Sequence, residues 1–94
     1  PSAIFAANDE MASGVMKVVI DSGYEVPKDF SIAGFDDTPV SQMLNPPLST
    51  IRQPLEKMGE LAAKKLIAQL EGFDFFENQK PKSKLIIRES ISSI

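Results

Sequence analysis

The strongest constraint on the fold of this chain is a pair of short apolar segments with a helical pattern between them. Residues 3–7 are continuously apolar, which is typical of a strand covered on both faces in a parallel sheet. Residues 30–35 form a second, mostly apolar segment, and residues 10–22 between the two have helical spacing. Asn8 and Asp9 both offer N-cap side chains to that helix, and Gly23 stops it. The order strand, helix, strand predicts a right-handed βαβ unit in an α/β protein.

The second half of the chain is expected to contain one long helix and several short extended segments. Pro54 suits the start of a helix and Gly72 suits its end, so a helix is predicted over about residues 55–71. One face of this helix is apolar, and the other carries Glu60 and Lys64 at a favourable spacing. The flanking pattern predicts a helical turn at 40–44, an extended segment at 48–52, a polar surface connection at 73–83 and a last strand at 84–88.

The amino-acid composition excludes several classes of function. The chain has no cysteine, which excludes a disulfide framework, a thiol nucleophile and cysteine-ligated metals. It has no histidine, the commonest metal ligand and the commonest general base. A formal net charge of −3 argues against this segment binding a phosphate backbone by itself. No apolar run approaches the roughly 20 residues of a membrane span. We therefore predict no catalytic residue, no metal site and no cofactor.

Four carboxylates lie just after the two predicted strands and have two possible interpretations. Asp9 and Glu10 come after the first strand, and Asp36 and Asp37 come after the second. They could serve acid–base or metal chemistry. Two carboxylates at a helix start also compensate the helix dipole, however, and one of a tandem pair often faces water. Because no histidine or cysteine accompanies them, the pattern favours the second interpretation.

The ends of the two strands are the expected place for a ligand. In an open α/β sheet, ligands bind beyond the carboxyl ends of the strands, and Asn8 and Asp36 are the first strongly polar residues there. A carboxylate accepts hydrogen bonds and an amide both donates and accepts them, which suits a polyhydroxylated or purine-like small molecule. The alternative is that Asn8 only caps its helix and Asp36 only starts a turn.

Several sequence blocks together resemble the lactose-repressor (LacI/GalR) family. The blocks are AIFAANDEMA from residue 3, VPKDFSIAGFDDTP from residue 26, PPLSTIRQP from residue 46, Met58-Gly and RES from residue 88. Related sugar-binding periplasmic proteins share the Asn-Asp and Gly-Phe-Asp elements, whereas the third and last blocks favour the repressors. The blocks occur in family order and spacing over nearly the whole chain.

The resemblance implies the last third of the effector-binding domain of a bacterial transcription regulator, with a three-layer, parallel-sheet fold like that of type I periplasmic binding proteins. By this resemblance, residues 1–52 belong to the C-terminal subdomain. Residues 53–83 cross to the other subdomain, and residues 84–94 form the return strand and tail. The family's effector contacts correspond to Asn8 and Asp36, and less directly to Gln53, which could equally be only a helix cap.

The resemblance also implies the partners of the protein. They are a sugar or purine-like effector, a second copy of the chain, and operator DNA, which would be contacted only through an N-terminal domain absent from this chain. No membrane partner is implied, and the protein would be cytoplasmic. The alternative is a periplasmic-type solute-binding protein for transport or chemotaxis, and an enzyme is a more distant third.

A dimer surface would explain why the first helix is apolar over roughly 200° of its circumference, about twice the stripe of a one-sided helix. The resemblance places the dimer interface on this helix and on the segment after Asp37. The alternative is that these side chains are buried under neighbouring parts of the same protein that this sequence does not include. We expect the chain not to remain a solitary monomer. The predicted interface residues are Met11, Ala12, Val15, Met16, Val19, Val40, Met43 and Leu44.

Overall fold

A computed structural model of the protein describes residues 2–74 and 81–93. The helices and strands in these ranges are β1 (Ala3–Phe5), α1 (Asp9–Asp21), β2 (Ser31–Ala33), α2 (Pro39–Met43), β3 (Thr50–Arg52), α3 (Leu55–Leu70) and β4 (Lys84–Ile86). The chain divides into two compact units, Pro1–Arg52 with Lys84–Ile94, and Gln53–Ser83. Residues 75–80 of the predicted surface connection lie outside the described residues.

The predicted strand–helix–strand unit is present, and its strands are parallel. β1 pairs with β2 in a register that sets Ile4 beside Ile32. Beyond the end of β1, the amide of Ala6 donates to the carbonyl of Ala33 at 2.9 Å, so the pairing continues toward the polar residues beyond the strands. The α/β class with parallel strands is therefore confirmed.

Local sequence signals set both ends of α1. Asn8 is the N-cap, and its Oδ1 accepts a hydrogen bond from the amide of Met11 at 2.8 Å. The chain leaves the helix through Gly23, whose φ of 92° is a left-handed conformation that glycine adopts without a Cβ clash. The helix begins one residue earlier than predicted and ends one residue earlier, at Asp21.

The hydrophobic core of the first unit lies between α1 and the parallel pair. The buried apolar side chains are those of Ala6, Ala12, Met16, Ile32 and Leu48. β1 is less covered than its sequence predicts, since Ala3 and Phe5 are exposed. Because successive side chains of a strand point to opposite faces, Ala3 and Phe5 lie on the same face of β1, and that face is uncovered. The expectation of a strand covered on both faces is therefore wrong for the chain alone.

The remaining strands form a second pair that is antiparallel rather than parallel. β3 pairs with β4 so that Thr50 faces Ile86 and Arg52 faces Lys84. The amide of Gly34 donates to the carbonyl of Ser49 at 2.9 Å, which links the end of β2 to the start of β3. Through β3, the return strand β4 is therefore connected to the end of β2, which precedes the predicted site residue Asp36.

The second unit contains α3 and has a different character. The helix runs from Leu55, directly after Pro54, and the chain turns at Gly72 with a φ of 79°. No residue of α3 is buried. The predicted pair is present, with Lys64 Nζ 3.5 Å from Glu60 Oε1. None of the helices in the described ranges is long and apolar enough to cross a membrane.

Candidate functional site

The carboxyl ends of β1 and β2 lie side by side and bring two of the predicted site residues onto neighbouring stretches of backbone. The amide of Asp9 donates to the carbonyl of Phe35 at 3.1 Å. Asn8 and Asp36 are the chain neighbours of these two residues, on the respective segments. On the other side, the amide of Asp36 donates to the carbonyl of Ile51 at 2.8 Å. The parallel pairing therefore produces the adjacency that the sequence predicts.

Asn8 has a structural role as the cap of α1. Its Oδ1 accepts the capping hydrogen bond, and the side chain is half-buried. This bond uses the oxygen and not the amide nitrogen, so the cap fixes the side chain without using its donor. A capping role and a ligand-binding role for Asn8 are thus chemically compatible.

Asp36 and Asp37 form an unusual turn immediately after β2. Their φ angles are 105° and 54°, and positive values are uncommon for residues that carry a Cβ. Asp36 is half-buried. Gln53, the third predicted contact, begins the second unit, where it is half-buried and its carbonyl accepts from the amide of Leu55 at 2.9 Å.

Asp9 is fully buried and joins three parts of the first unit. Its Oδ2 accepts from the amide of Thr38 at 2.6 Å and from the hydroxyl of Thr38 at 3.1 Å. Its Oδ1 accepts from the hydroxyl of Thr50 at 2.6 Å. The close approach depends on Gly34, because a Cβ there would collide with the Asp9 carboxylate and lie 2.9 Å from a methyl group of Leu48. The sequence offered Asp9 as a helix cap, as compensation of the helix dipole or as a carboxylate for acid–base or metal chemistry, and this buried role was missed.

Asp37 is the centre of a second polar cluster, and its side chain is only 4% exposed. Its Oδ1 accepts from Arg88 Nη2 at 2.8 Å and from the hydroxyl of Ser41 at 3.0 Å. Its Oδ2 accepts from Arg52 Nε at 2.7 Å. Burial alone would raise the pKa of Asp37, but the hydrogen bonds from Arg52, Arg88 and Ser41 outweigh it and hold the pKa below its ordinary value. Asp37 is therefore an ionised structural anchor.

Arg88 extends this cluster to the return strand. Its Nη1 donates to the carbonyl of Leu48 at 2.8 Å and to the hydroxyl of Ser41 at 3.0 Å. Two residues further on, the buried hydroxyl of Ser90 donates to the carbonyl of Ile32 at 2.5 Å and accepts from the amide of Ser49 at 2.8 Å. The sequence singled out Arg88 and Ser90 only as part of a family block, with no role attached.

The predicted dimer surface is in part accessible and in part used by the core. Met11 and Met43 are exposed apolar residues on α1 and α2. Ala12 and Met16, in contrast, are buried against the sheet and belong to the core of the chain itself. These two members of the predicted interface therefore have almost no accessible surface to offer a partner, and the interface as a whole stays a prediction. The half-buried members of the set are Val15, Val19, Val40 and Leu44.

The chemistry that the first unit offers is hydrogen bonding. Among the residues that the structure describes, no cluster of three carboxylate, histidine or cysteine side chains could hold a metal ion. The two buried carboxylates, Asp9 and Asp37, are fully engaged with donors that hold elements of the fold together. Such an arrangement is suited to fixing a binding surface.

Comparison with known proteins gives a consistent result. Residues 1–91 match the family described as the periplasmic binding protein-like domain. The lactose operon repressor of Rhizobium radiobacter is 41% identical over 90 residues, which are 96% of this chain and 80% of that sequence. The NTD biosynthesis operon regulator NtdR of Bacillus subtilis is 38% identical over 96% of this chain but only 28% of its own length.

Solved structures agree with the sequence comparison. The lac repressor dimer bound to operator and the anti-inducer ONPF superposes with a TM-score of 0.88 at 34% identity. The match covers 99% of this chain and 32% of the solved chain. This chain therefore spans about a third of the length of that repressor.

Proposed function

Because the chain belongs to the periplasmic-binding-protein-like domains of the LacI/GalR family of transcriptional regulators, we propose that it is the effector-binding and dimerising part of a bacterial repressor. In this proposal a small ligand, a sugar in the first instance, controls the affinity of the intact cytoplasmic protein for its operator. Operator DNA is contacted by a separate DNA-binding domain. The proposal is supported by similarity to regulators and repressors over nearly the whole chain.

The observation that carries the proposal is the adjacency of Asn8 and Asp36 at the carboxyl edge of a parallel strand pair. The backbone bond from Asp9 to Phe35 holds the two segments together. Ligands of open α/β sheets bind at such an edge. A carboxylate and an amide there can satisfy neighbouring hydroxyl groups, each of which both donates and accepts. A polyhydroxylated molecule is the class of ligand that this pair fits best.

Control of operator affinity requires that the effector bind two states of the regulator unequally. A ligand shifts an equilibrium only by its differential affinity for the two states. We propose Asn8, Asp36 and Gln53 as effector contacts of the intact protein. Contacts that form in only one of its two states would supply the differential affinity.

A calorimetric titration of the intact protein tests the effector site. Lactose, glucose, ribose and adenosine represent sugars and purine-like molecules. Asp36→Ala should weaken binding of whichever probe the wild type binds by about 1–3 kcal/mol, the cost of leaving a polar partner unsatisfied. Asp21→Ala removes a carboxylate from the exposed end of α1 and is the matched control. Unchanged affinity in Asp36→Ala would remove Asp36 from the site.

The dimer is tested separately through the exposed apolar residues of α1 and α2. Met43 has 80% of its surface exposed, and Met11 is also exposed. An apolar side chain left in water on a monomer gains by burial against a second copy. Met43→Glu should shift the intact protein toward monomer in analytical ultracentrifugation. Lys65→Glu, at an exposed polar residue of α3, should not. A monomeric wild type, or a dimer that tolerates Met43→Glu, would contradict the interface.

A further inference from the structure

The turn after β2 has a conformation that its residues do not adopt readily. Asp36 and Asp37 both have positive φ, where a Cβ is crowded by the backbone. Glycine would adopt the same angles without that penalty, yet the chain has a carboxylate at each of the two positions. Strained backbone of this kind persists only where surrounding contacts over-determine it, and it is concentrated at ligand-binding sites.

The contacts that over-determine the turn converge on Asp37. Its carboxylate accepts hydrogen bonds from Arg52, Arg88 and Ser41, and its amide donates to the hydroxyl of Thr50 at 3.3 Å. The amide of the preceding residue is held by the carbonyl at position 51. Asp37 is therefore an anchor of the turn, and both of its carboxylate oxygens already accept hydrogen bonds from these donors.

The two arginines hold the anchor unequally. The side chain of Arg88 is 15% exposed, and two further acceptors, the Leu48 carbonyl and the Ser41 hydroxyl, orient its guanidinium. The side chain of Arg52 is 53% exposed, so water competes for it. We call the two arginines that bind the Asp37 carboxylate the clamp. Arg88 is its rigid half, and Arg52 is its weaker half.

We propose that Asp37 is a positioning residue for the effector site: clamped by Arg88 and Arg52, it holds the strained turn that presents Asp36 to the ligand. This inference rests on the proposed function, since it assigns a binding role to Asp36. It adds that the affinity of the site is set by a salt bridge to the return strand, which does not itself touch the ligand. Asp36 thus binds the ligand, and Asp37 fixes the backbone that positions Asp36.

The test combines a readout that needs no ligand with one that does, both on the intact protein. The first is hydrogen exchange of the Asp36 amide, which bonds to the Ile51 carbonyl. The second is calorimetric affinity for lactose, glucose, ribose and adenosine. Arg88→Met should speed exchange of the Asp36 amide at least about tenfold and weaken binding by a similar factor. Arg88→Lys, which keeps the charge, should recover part of both losses.

Two further variants separate positioning from general loss of stability. Ser90→Ala removes buried hydrogen bonds from the same unit without touching Asp37, so it should lower stability and leave exchange at Asp36 and affinity unchanged. Arg52→Met removes the exposed half of the clamp and should fold even if Arg88→Met does not. It should shift both readouts in the same direction by a smaller factor.

The outcomes distinguish this inference from the proposed function. Unchanged exchange of the Asp36 amide in Arg88→Met and Arg52→Met would overturn the clamp. An increase in that exchange rate in Ser90→Ala as large as in Arg88→Met would overturn it too. Faster exchange with unchanged affinity for a bound probe would overturn the positioning role. A wild type that binds none of the four probes would contradict the proposed function, and amide exchange would still decide whether the clamp holds the turn.

Discussion

The two units of the chain use apolar sequence in opposite ways. In the first, α1 buries Ala12 and Met16 against the sheet, and polar side chains such as Asp9 are buried beside them with their hydrogen bonds satisfied. In the second, α3 is three residues longer than α1 and has no buried residue. Leu66 and Leu70 on this helix are exposed. A comparable apolar pattern is therefore core in one unit and surface in the other.

The difference between the two helices comes from the elements that surround each of them. After α1 the chain forms β2, which pairs in parallel with β1 and gives the helix a sheet to cover. α3 is the one helix or strand in the described part of its own unit. Amphipathic spacing predicts that a helix forms and which face is apolar, but the covering partner must come from elsewhere. The folding stability of this chain should accordingly reside in the first unit.

The largest effect is expected when a core residue is compared with an exposed one. Ile32 on β2 is fully buried in the same core cluster as Ala12 and Met16 of α1, so Ile32→Ala should lower the free energy of unfolding by about 2–5 kcal/mol. Leu66 is 58% exposed, and Leu66→Ala should change the free energy of unfolding by no more than about 0.5 kcal/mol. Urea denaturation of both variants measures the difference. Equal losses would show that α3 is covered by a partner in solution.

A second, smaller effect should come from the buried polar contacts of the first unit. Thr50→Val removes the donor to Asp9 Oδ1 and the acceptor for the Asp37 amide, which should cost about 1–3 kcal/mol of unfolding free energy. Thr38→Val is the matched control and should cost less, because the backbone amide of Thr38 still donates to Asp9 at 2.6 Å. Denaturant midpoints at constant slope report both. A larger loss in Thr38→Val would contradict the assigned bonds.

Elements that depend on local sequence were predicted well. The cap at Asn8, the left-handed turn at Gly23 and the pair between Glu60 and Lys64 are each determined by residues a few positions apart. The parallel pairing of β1 and β2 could also be predicted, from the order of the elements. Family resemblance, rather than pattern, gave Gln53 and the dimer surface.

The polar interior was missed because its partners are far apart in sequence. Thr38 and Thr50 lie 29 and 41 residues from Asp9, and Arg88 lies 51 residues from Asp37. An aspartate after a strand looks the same in sequence whether it faces water or two arginines. The exposure of Phe5 was missed for a related reason, since the sequence of an apolar strand does not specify what covers each of its faces.

The stability of the first unit should depend on pH through the protonation of Asp37. The pKa of Asp37 is lowered in the folded protein, so its ion pairs contribute stability above the ordinary value of 3.8 and lose it as pH falls through the lower folded value. Asp37→Asn lacks this contribution at every pH. The stability gap between wild type and Asp37→Asn should therefore narrow as pH is lowered from about 5 to about 3. A gap that is constant over this range would show that Asp37 is not ionised in its cluster.

The smallest effect is expected on the surface of α3. Lys64 Nζ lies 3.5 Å from Glu60 Oε1, and both side chains are about half exposed to water, which screens the pair. Lys64→Ala should therefore change the unfolding free energy by only about 0.3–0.5 kcal/mol, and salt near 1 M should remove even that. Lys65→Ala at the neighbouring exposed position is the control for helix propensity. A loss from Lys64→Ala that approached the loss from Thr50→Val, and that persisted in high salt, would mean that α3 contributes to folding as strongly as the first unit. The contrast between the two units would then not hold.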